Sequence, residues 1–129
     1  MDSISLARFA AYGYVCRMRF LELTEFDFHP RLSASPGIAV VMFSGPDCGA
    51  CKRLEKHLPD WLGAKVNHFY KVDAQRSTAL ARAYEVFHLP GLFVFVNGRY
   101  HAPLQAEAAP APLATALDNL LREPAHEEP

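Results

Sequence analysis

Cysteine is scarce in this chain. Only Cys16, Cys48 and Cys51 occur among 129 residues, too few for a small secreted scaffold held together by disulfides. Tryptophan occurs once, at Trp61. Neither sign of charge is in excess: thirteen basic residues against fourteen acidic ones leave a net charge of -1. A broad nucleic-acid footprint needs a clear basic surplus, so none is expected. No apolar run approaches the roughly 18 residues of a membrane-crossing helix. The longest, Ile38–Phe43 and Leu92–Val96, are strand-sized, and no membrane association is expected. An export signal is also missing. Phe9–Cys16 is only mildly apolar, is broken by Tyr12, Gly13 and Tyr14, and runs straight into Arg17 without a small-residue cleavage site. A cytoplasmic location is therefore the expectation.

What is present is one domain's worth of chain. Half the residues are hydrophobic, enough for a core without metal or disulfide staples. Tyr14, Cys16, Met18 and Phe20 alternate with Val15, Arg17 and Arg19, a strand pattern running on towards Leu23. Pro30 suits the first turn of a short helix. Ile38–Phe43, apolar without alternation, reads as a strand buried on both faces. Leu54, Leu58, Trp61 and Leu62 mark one face of a helix that begins near Cys48, and Pro59 should kink or end it. Val66–Val72 reads as a strand. Leu80, Ala83, Tyr84 and Phe87 mark a further helix face, and Leu92–Val96 a further strand. Asn97-Gly98 predicts a hairpin to Arg99–His101. Ala102–Pro112 reads as a connector, and Leu113, Ala116, Leu117, Leu120 and Leu121 form the last helical stripe. The order predicts an α/β fold: a mixed sheet, parallel in its first half and closed by an antiparallel pair, with helices on both faces.

Chemistry is concentrated in Asp47-Cys48-Gly49-Ala50-Cys51-Lys52. It stands where a buried strand meets a helix. Cysteines three apart in a first helical turn lie about 5–6 Å apart between Cα atoms, within disulfide reach. At the helix N-terminus, free N–H groups and the macrodipole favour a thiolate at Cys48. Cys51, one turn in, should be the more buried. Cys48 is thus expected to attack a substrate disulfide and Cys51 to resolve the mixed disulfide. Two other readings stay open: an incidental core pair, or half of a metal site completed by His57, His68 or His88. Against the metal, no second CxxC exists and Cys16 is distant in sequence, so no metal and no cofactor beyond the Cys48–Cys51 pair is expected. A second feature is Leu89-Pro90-Gly91, just ahead of a strand. The residues alone favour a trans Leu89–Pro90 bond, the commoner isomer.

These segments resemble the thioredoxin family. Phe43-Ser44-Gly45-Pro46-Asp47-Cys48-Gly49-Ala50-Cys51-Lys52 is similar to its strand, loop, CGPC and lysine. Val72-Asp73, Leu80-Ala81, Tyr84, Val86 and Leu89-Pro90 are similar to its third strand, third helix and cis-proline loop, and Phe93–Gly98 to its apolar strand and turn. The resemblance, from about Phe20 to Leu121, implies a thioredoxin-like fold and dithiol–disulfide exchange with protein substrates. It implies a cis Pro90 facing Cys48, with the Leu89 backbone pairing with substrate as an added strand. Asp47, Gly49, Ala50 and Lys52 would support the motif. The expected partners are protein disulfides and a thioredoxin-reductase-like or thiol reductant, and the expected state is a monomer. The chain divides into an extension over 1–17, a domain over 18–123 and a frayed polar tail over 124–129.

The sequence departs from the family in four places. Asp47 replaces the usual Trp before the first cysteine; the acid should raise the Cys48 pKa unless it serves as the helix N-cap. Met42 stands where many members have a buried Asp that moves the second cysteine's proton. Ala50 replaces the motif proline, and the helix proline is displaced to Pro59. The paired cysteines at a helix start favour exchange, whereas the loss of the Trp before Cys48 and of the buried Asp gives some support to the alternative of a binding module that uses the Leu89-Pro90 groove with little turnover.

Overall fold

The computed structural model describes residues 19–129. Its elements are β1 (Leu21–Leu23), α1 (Phe28–Ser33), β2 (Ile38–Ser44), α2 (Gly49–Leu62), β3 (His68–Asp73), α3 (Thr78–Ala83), β4 (Gly91–Val96), β5 (Arg99–Pro103) and α4 (Pro110–Arg122). The described strands form one sheet in the order β1-β3-β2-β4-β5. β3 pairs in parallel with both β1 and β2, whereas β4 pairs antiparallel with β2 and β5. The expected mixed sheet with its closing hairpin is present. The alternation proposed over Tyr14, Cys16 and Met18 lies outside the described residues.

β2 shows why a continuous apolar run becomes a central strand. Its side chains alternate between two faces. Val40 and Met42 enter a cluster with Cys51, Leu54 and Leu58 of α2 and Leu113 and Leu117 of α4. Ala39, Val41 and Phe43 enter a second cluster with Phe28 and Leu32 of α1 and Leu80 and Ala81 of α3. Both faces are covered, so no position in the run needs to be polar. The second cluster is largely aromatic: Phe28 packs against Phe43, Tyr84 and Phe95 with ring centroids 5.5–6.4 Å apart.

Of the two outcomes expected at Pro59, the helix does not end there: Pro59 is buried inside α2, which continues to Leu62, and the apolar face of Leu54, Leu58 and Leu62 holds it through the missing hydrogen bond. Three further local features differ from the sequence reading. α3 ends at Ala83, and Phe87, expected on its buried face, is 80% exposed. Glu85 takes φ +56, and the Val86 N–H donates to the Ala81 carbonyl at 2.9 Å, a closure that turns the chain away before Phe87. The connector begins later than expected, because Ala102 and Pro103 continue β5 opposite Val94 and Phe93. The segment 124–129 is exposed, yet it returns to the domain: the His126 N–H donates to the His101 carbonyl at 2.6 Å, and the Tyr84 hydroxyl donates to the Glu128 carboxylate.

The hairpin turn follows its sequence signal. Asn97 and Gly98 both have positive φ, +52 and +82, as a two-residue turn matched to strand twist requires. Asn97 Oδ1 accepts from the Gly37 N–H at 2.8 Å, tying the turn to the entry of β2.

Candidate active site

β2 delivers the chain to the redox loop and α2 carries it away. The Cys48 N–H donates to the Gly45 carbonyl at 3.3 Å, closing the turn Gly45-Pro46-Asp47-Cys48. Cys48 is the N-cap of α2, and its Sγ accepts from the Cys51 N–H at 3.1 Å. That N–H is one of the donors a helix start leaves unpaired. Asp47, expected as a possible cap, is instead exposed in the preceding turn, because the helix begins one residue later than a cap at 47 would allow. Cys48 and Cys51 are joined as a disulfide with Cα atoms 5.2 Å apart, inside the range expected from their spacing. Cys48 is half-buried and Cys51 only 2% exposed. The outer sulfur is the accessible one.

The Leu89–Pro90 bond is cis, as the resemblance implied and the bare residues did not. Its loop lies against the redox loop: a Cβ built on Gly45 would stand 3.0 Å from Leu89 Cδ1. Gly45 therefore gives Leu89 room beside the turn that leads into Cys48. A cavity of about 620 Å³ opens beside this junction, lined by Ala50, Arg53, Val86, His88 and Pro90 among others. His88 thus borders the groove. Phe87 and Leu89 are both exposed on the same loop, Leu89 to 38%. Tyr84 and Tyr100 line the cavity floor. Burial pushes both phenols above the ordinary value of 10.0, and for Tyr84 the hydrogen bond to Glu128 adds to it.

Gly49 and Lys52 are exposed around the pair, and a Cβ on Gly49 would meet nothing. His57 stacks on Trp61 with ring centroids 5.4 Å apart, and His68 pairs with the Pro36 carbonyl at 3.0 Å. Among the described residues, no three His, Cys, Asp or Glu side chains converge as a metal would require. Cys16 lies outside the described residues.

One constellation near the cysteines escaped sequence reading. Lys71 Nζ of β3 donates to Glu55 Oε2 of α2 at 2.7 Å. Both line a second cavity, of about 250 Å³, to which Cys51 also contributes. The i, i+4 spacing of Cys51 and Glu55 was the available signal.

A redox-capable cysteine pair capping a helix, with a cis proline beside it on a mixed sheet covered on both faces, defines a thioredoxin-fold dithiol–disulfide protein. The thioredoxin family profile matches residues 19–119, and the chain belongs to the thioredoxin family. Two curated relatives are similar over about two thirds of the chain. Probable protein disulfide-isomerase ER-60 of Schistosoma mansoni is 32% identical over 97 residues, 68% of this chain and 20% of the relative. Protein disulfide-isomerase A3 of Gallus gallus is 31% identical over 96 residues, 67% of this chain and 18% of the relative. The chain thus spans about a fifth of the length of these relatives. Among solved structures, the zinc-bound form of human ERp44 has a TM-score of 0.65 at 17% identity, covering 78% of this chain and 32% of that one. Oxidised mitochondrial thioredoxin 3 from Saccharomyces cerevisiae has a TM-score of 0.61 at 21% identity, covering 81% of this chain and 95% of that one. At such identities the structural likeness speaks for the fold.

Proposed function

We propose that this protein is a thiol-disulfide oxidoreductase acting on protein disulfides through Cys48 and Cys51. One observation carries the reading: Cys48 Sγ caps α2 and accepts the Cys51 N–H at 3.1 Å while remaining half-accessible. A sulfur so placed is stabilised as a thiolate by the helix terminus. In the reduced protein, the Cys48 thiolate attacks one sulfur of a substrate disulfide. A Cys48–substrate bond forms, the substrate S–S bond breaks, and the first substrate thiolate leaves. Cys51, losing its proton, then attacks Cys48 Sγ. The Cys48–Cys51 bond forms and the second substrate sulfur departs with the electron pair. Two electrons have passed to the substrate, and a thiol reductant restores the pair. Leu89, exposed just ahead of Pro90, offers a place for an extended peptide to pair. The partners in this proposal are protein disulfides and an upstream thiol reductant, and its setting is cytoplasmic.

A second reading, a groove binder with little turnover, draws support from the exposed Phe87 and Leu89 beside the cavity. Insulin-disulfide reduction separates the two. Wild type should reduce insulin catalytically and Cys48→Ser should not. A folded wild type that binds a peptide but leaves insulin intact would favour the binder.

A further inference from the structure

Resolution requires Cys51 to lose a proton, and its surroundings restrict where that proton can go. Cys51 is 2% exposed. On its apolar side it packs into a cluster with Val40 and Met42 of β2, Leu54 of α2 and Leu92 of β4, none of which accepts a proton. The polar opening that Cys51 reaches is the 250 Å³ cavity beneath the redox loop. Its charged groups come from each element around it: Glu22 of β1, Lys52 and Glu55 of α2, Lys71 and Asp73 of β3, and Arg76 of the following turn. Among the three carboxylates, Glu55 alone shares a helix face with Cys51. Residues four apart on one helix have Cβ atoms about 5–6 Å apart. The cavity is large enough for a bridging water between polar groups.

The geometry points to Glu55 as the proton acceptor for Cys51 in the resolving step, with Lys71 as the positioning residue that holds its carboxylate. This inference rests on the exchange reaction proposed above. Lys71 donates to Glu55 Oε2 at 2.7 Å. Its backbone lies opposite Met42 in the β2–β3 register, which brings the ammonium out beneath α2. The ion pair fixes the carboxylate in the cavity that Cys51 also lines. The Cys51 S–H proton passes to Glu55 and then to solvent, while the thiolate forms the Cys48–Cys51 bond and expels the substrate sulfur. The β2 face supplies no carboxylate; α2 supplies it instead, four residues beyond the cysteine that needs it.

Ellman's reagent offered to the reduced protein in stopped flow tests this. Each turn releases two coloured thionitrobenzoate anions, the first on attack by Cys48 and the second on resolution by Cys51. Glu55→Gln should leave the first phase unchanged and slow the second roughly tenfold near neutral pH, less than the ~10²–10⁴-fold typical of general-base catalysis because water can stand in. The difference should fade in alkali, where the thiol ionises unaided. Glu55→Asp should recover part of the rate. Lys71→Met keeps the carboxylate but removes the ammonium that positions it, so the second phase should slow part of the way towards Glu55→Gln while the first stays unchanged. Urea melts of each variant establish that it is folded. A second phase in folded Glu55→Gln with wild-type rate and pH profile overturns the assignment, as does equal slowing of both phases. Absence of the first phase in wild type would instead overturn the exchange reaction itself.

Discussion

Replacing Met42 with Asp challenges both the packing and the chemistry of the site. Met42 is fully buried between the sheet and α2. Removing its side chain forfeits about 1.5–3 kcal/mol of apolar burial, and the smaller residue leaves a gap beside Leu54 and Leu92. A carboxyl group left there without a partner costs about 1–3 kcal/mol more, even protonated. The sum is about 3–6 kcal/mol, a large share of the roughly 5–15 kcal/mol typical of a domain. The charged form is costlier still, so the fold should raise this carboxyl's pKa above its ordinary value. A raised carboxyl pKa contributes stability below the unfolded-state value and loses it as pH rises through the folded one. The deficit relative to wild type should therefore be smallest in acid and grow towards neutrality. Urea denaturation followed by Trp61 fluorescence at several pH values measures it. A deficit below about 1 kcal/mol, or one that shrinks as pH rises, would refute the reasoning and show that Lys71 had left Glu55 to neutralise the new acid. In the folded fraction, the new carboxylate should quicken the resolving step near neutral pH, and it should restore that step in Glu55→Gln.

Three further outcomes are expected. Cys51→Ser should accumulate mixed disulfides with partner proteins while Cys48→Ser should not, as non-reducing gels and peptide mapping will show; trapping by Cys48→Ser would reverse the order of the thiols. Gly98→Ala should destabilise by about 1–3 kcal/mol, because φ is +82 and the added Cβ would stand 2.8 Å from the Leu32 carbonyl oxygen; an unchanged urea midpoint would contradict that contact. Tyr84 and Tyr100 are held protonated beyond the ordinary 10.0, so their contribution is present below that pH and is lost above it as unfolding gains the ionisation. Stability should fall in strong alkali, less so in Tyr84→Phe, and ultraviolet titration should find these two phenols ionising last.

What could be read from the sequence was local. The run Ile38–Phe43, the Asn97-Gly98 turn and the cysteine spacing each state their geometry within a few residues, and β2, the hairpin and the disulfide follow them. Phe87 misled because helical periodicity continues through it, while the stop depends on Glu85 entering the left-handed region, which glutamate does not announce. The Glu55–Lys71 pair was invisible for another reason. A charge on α2 and a charge on β3 each read as ordinary surface until the crossover places them 2.7 Å apart. The cis bond at Pro90 came from the resemblance and not from the residues, since proline alone leaves both isomers open.

The return of the segment 124–129 has a practical side. His126 is anchored to β5, Glu128 to Tyr84, and Pro129 lines the large cavity beside the cis-proline loop. Whatever chain follows Pro129, native or appended, sets out from the rim of that groove. An affinity tag or fluorescent fusion placed there would crowd the approach of a protein substrate and dampen apparent turnover, with every catalytic group intact. Assays on protein with and without a tag after Pro129 should be compared before any low activity is ascribed to the cysteines.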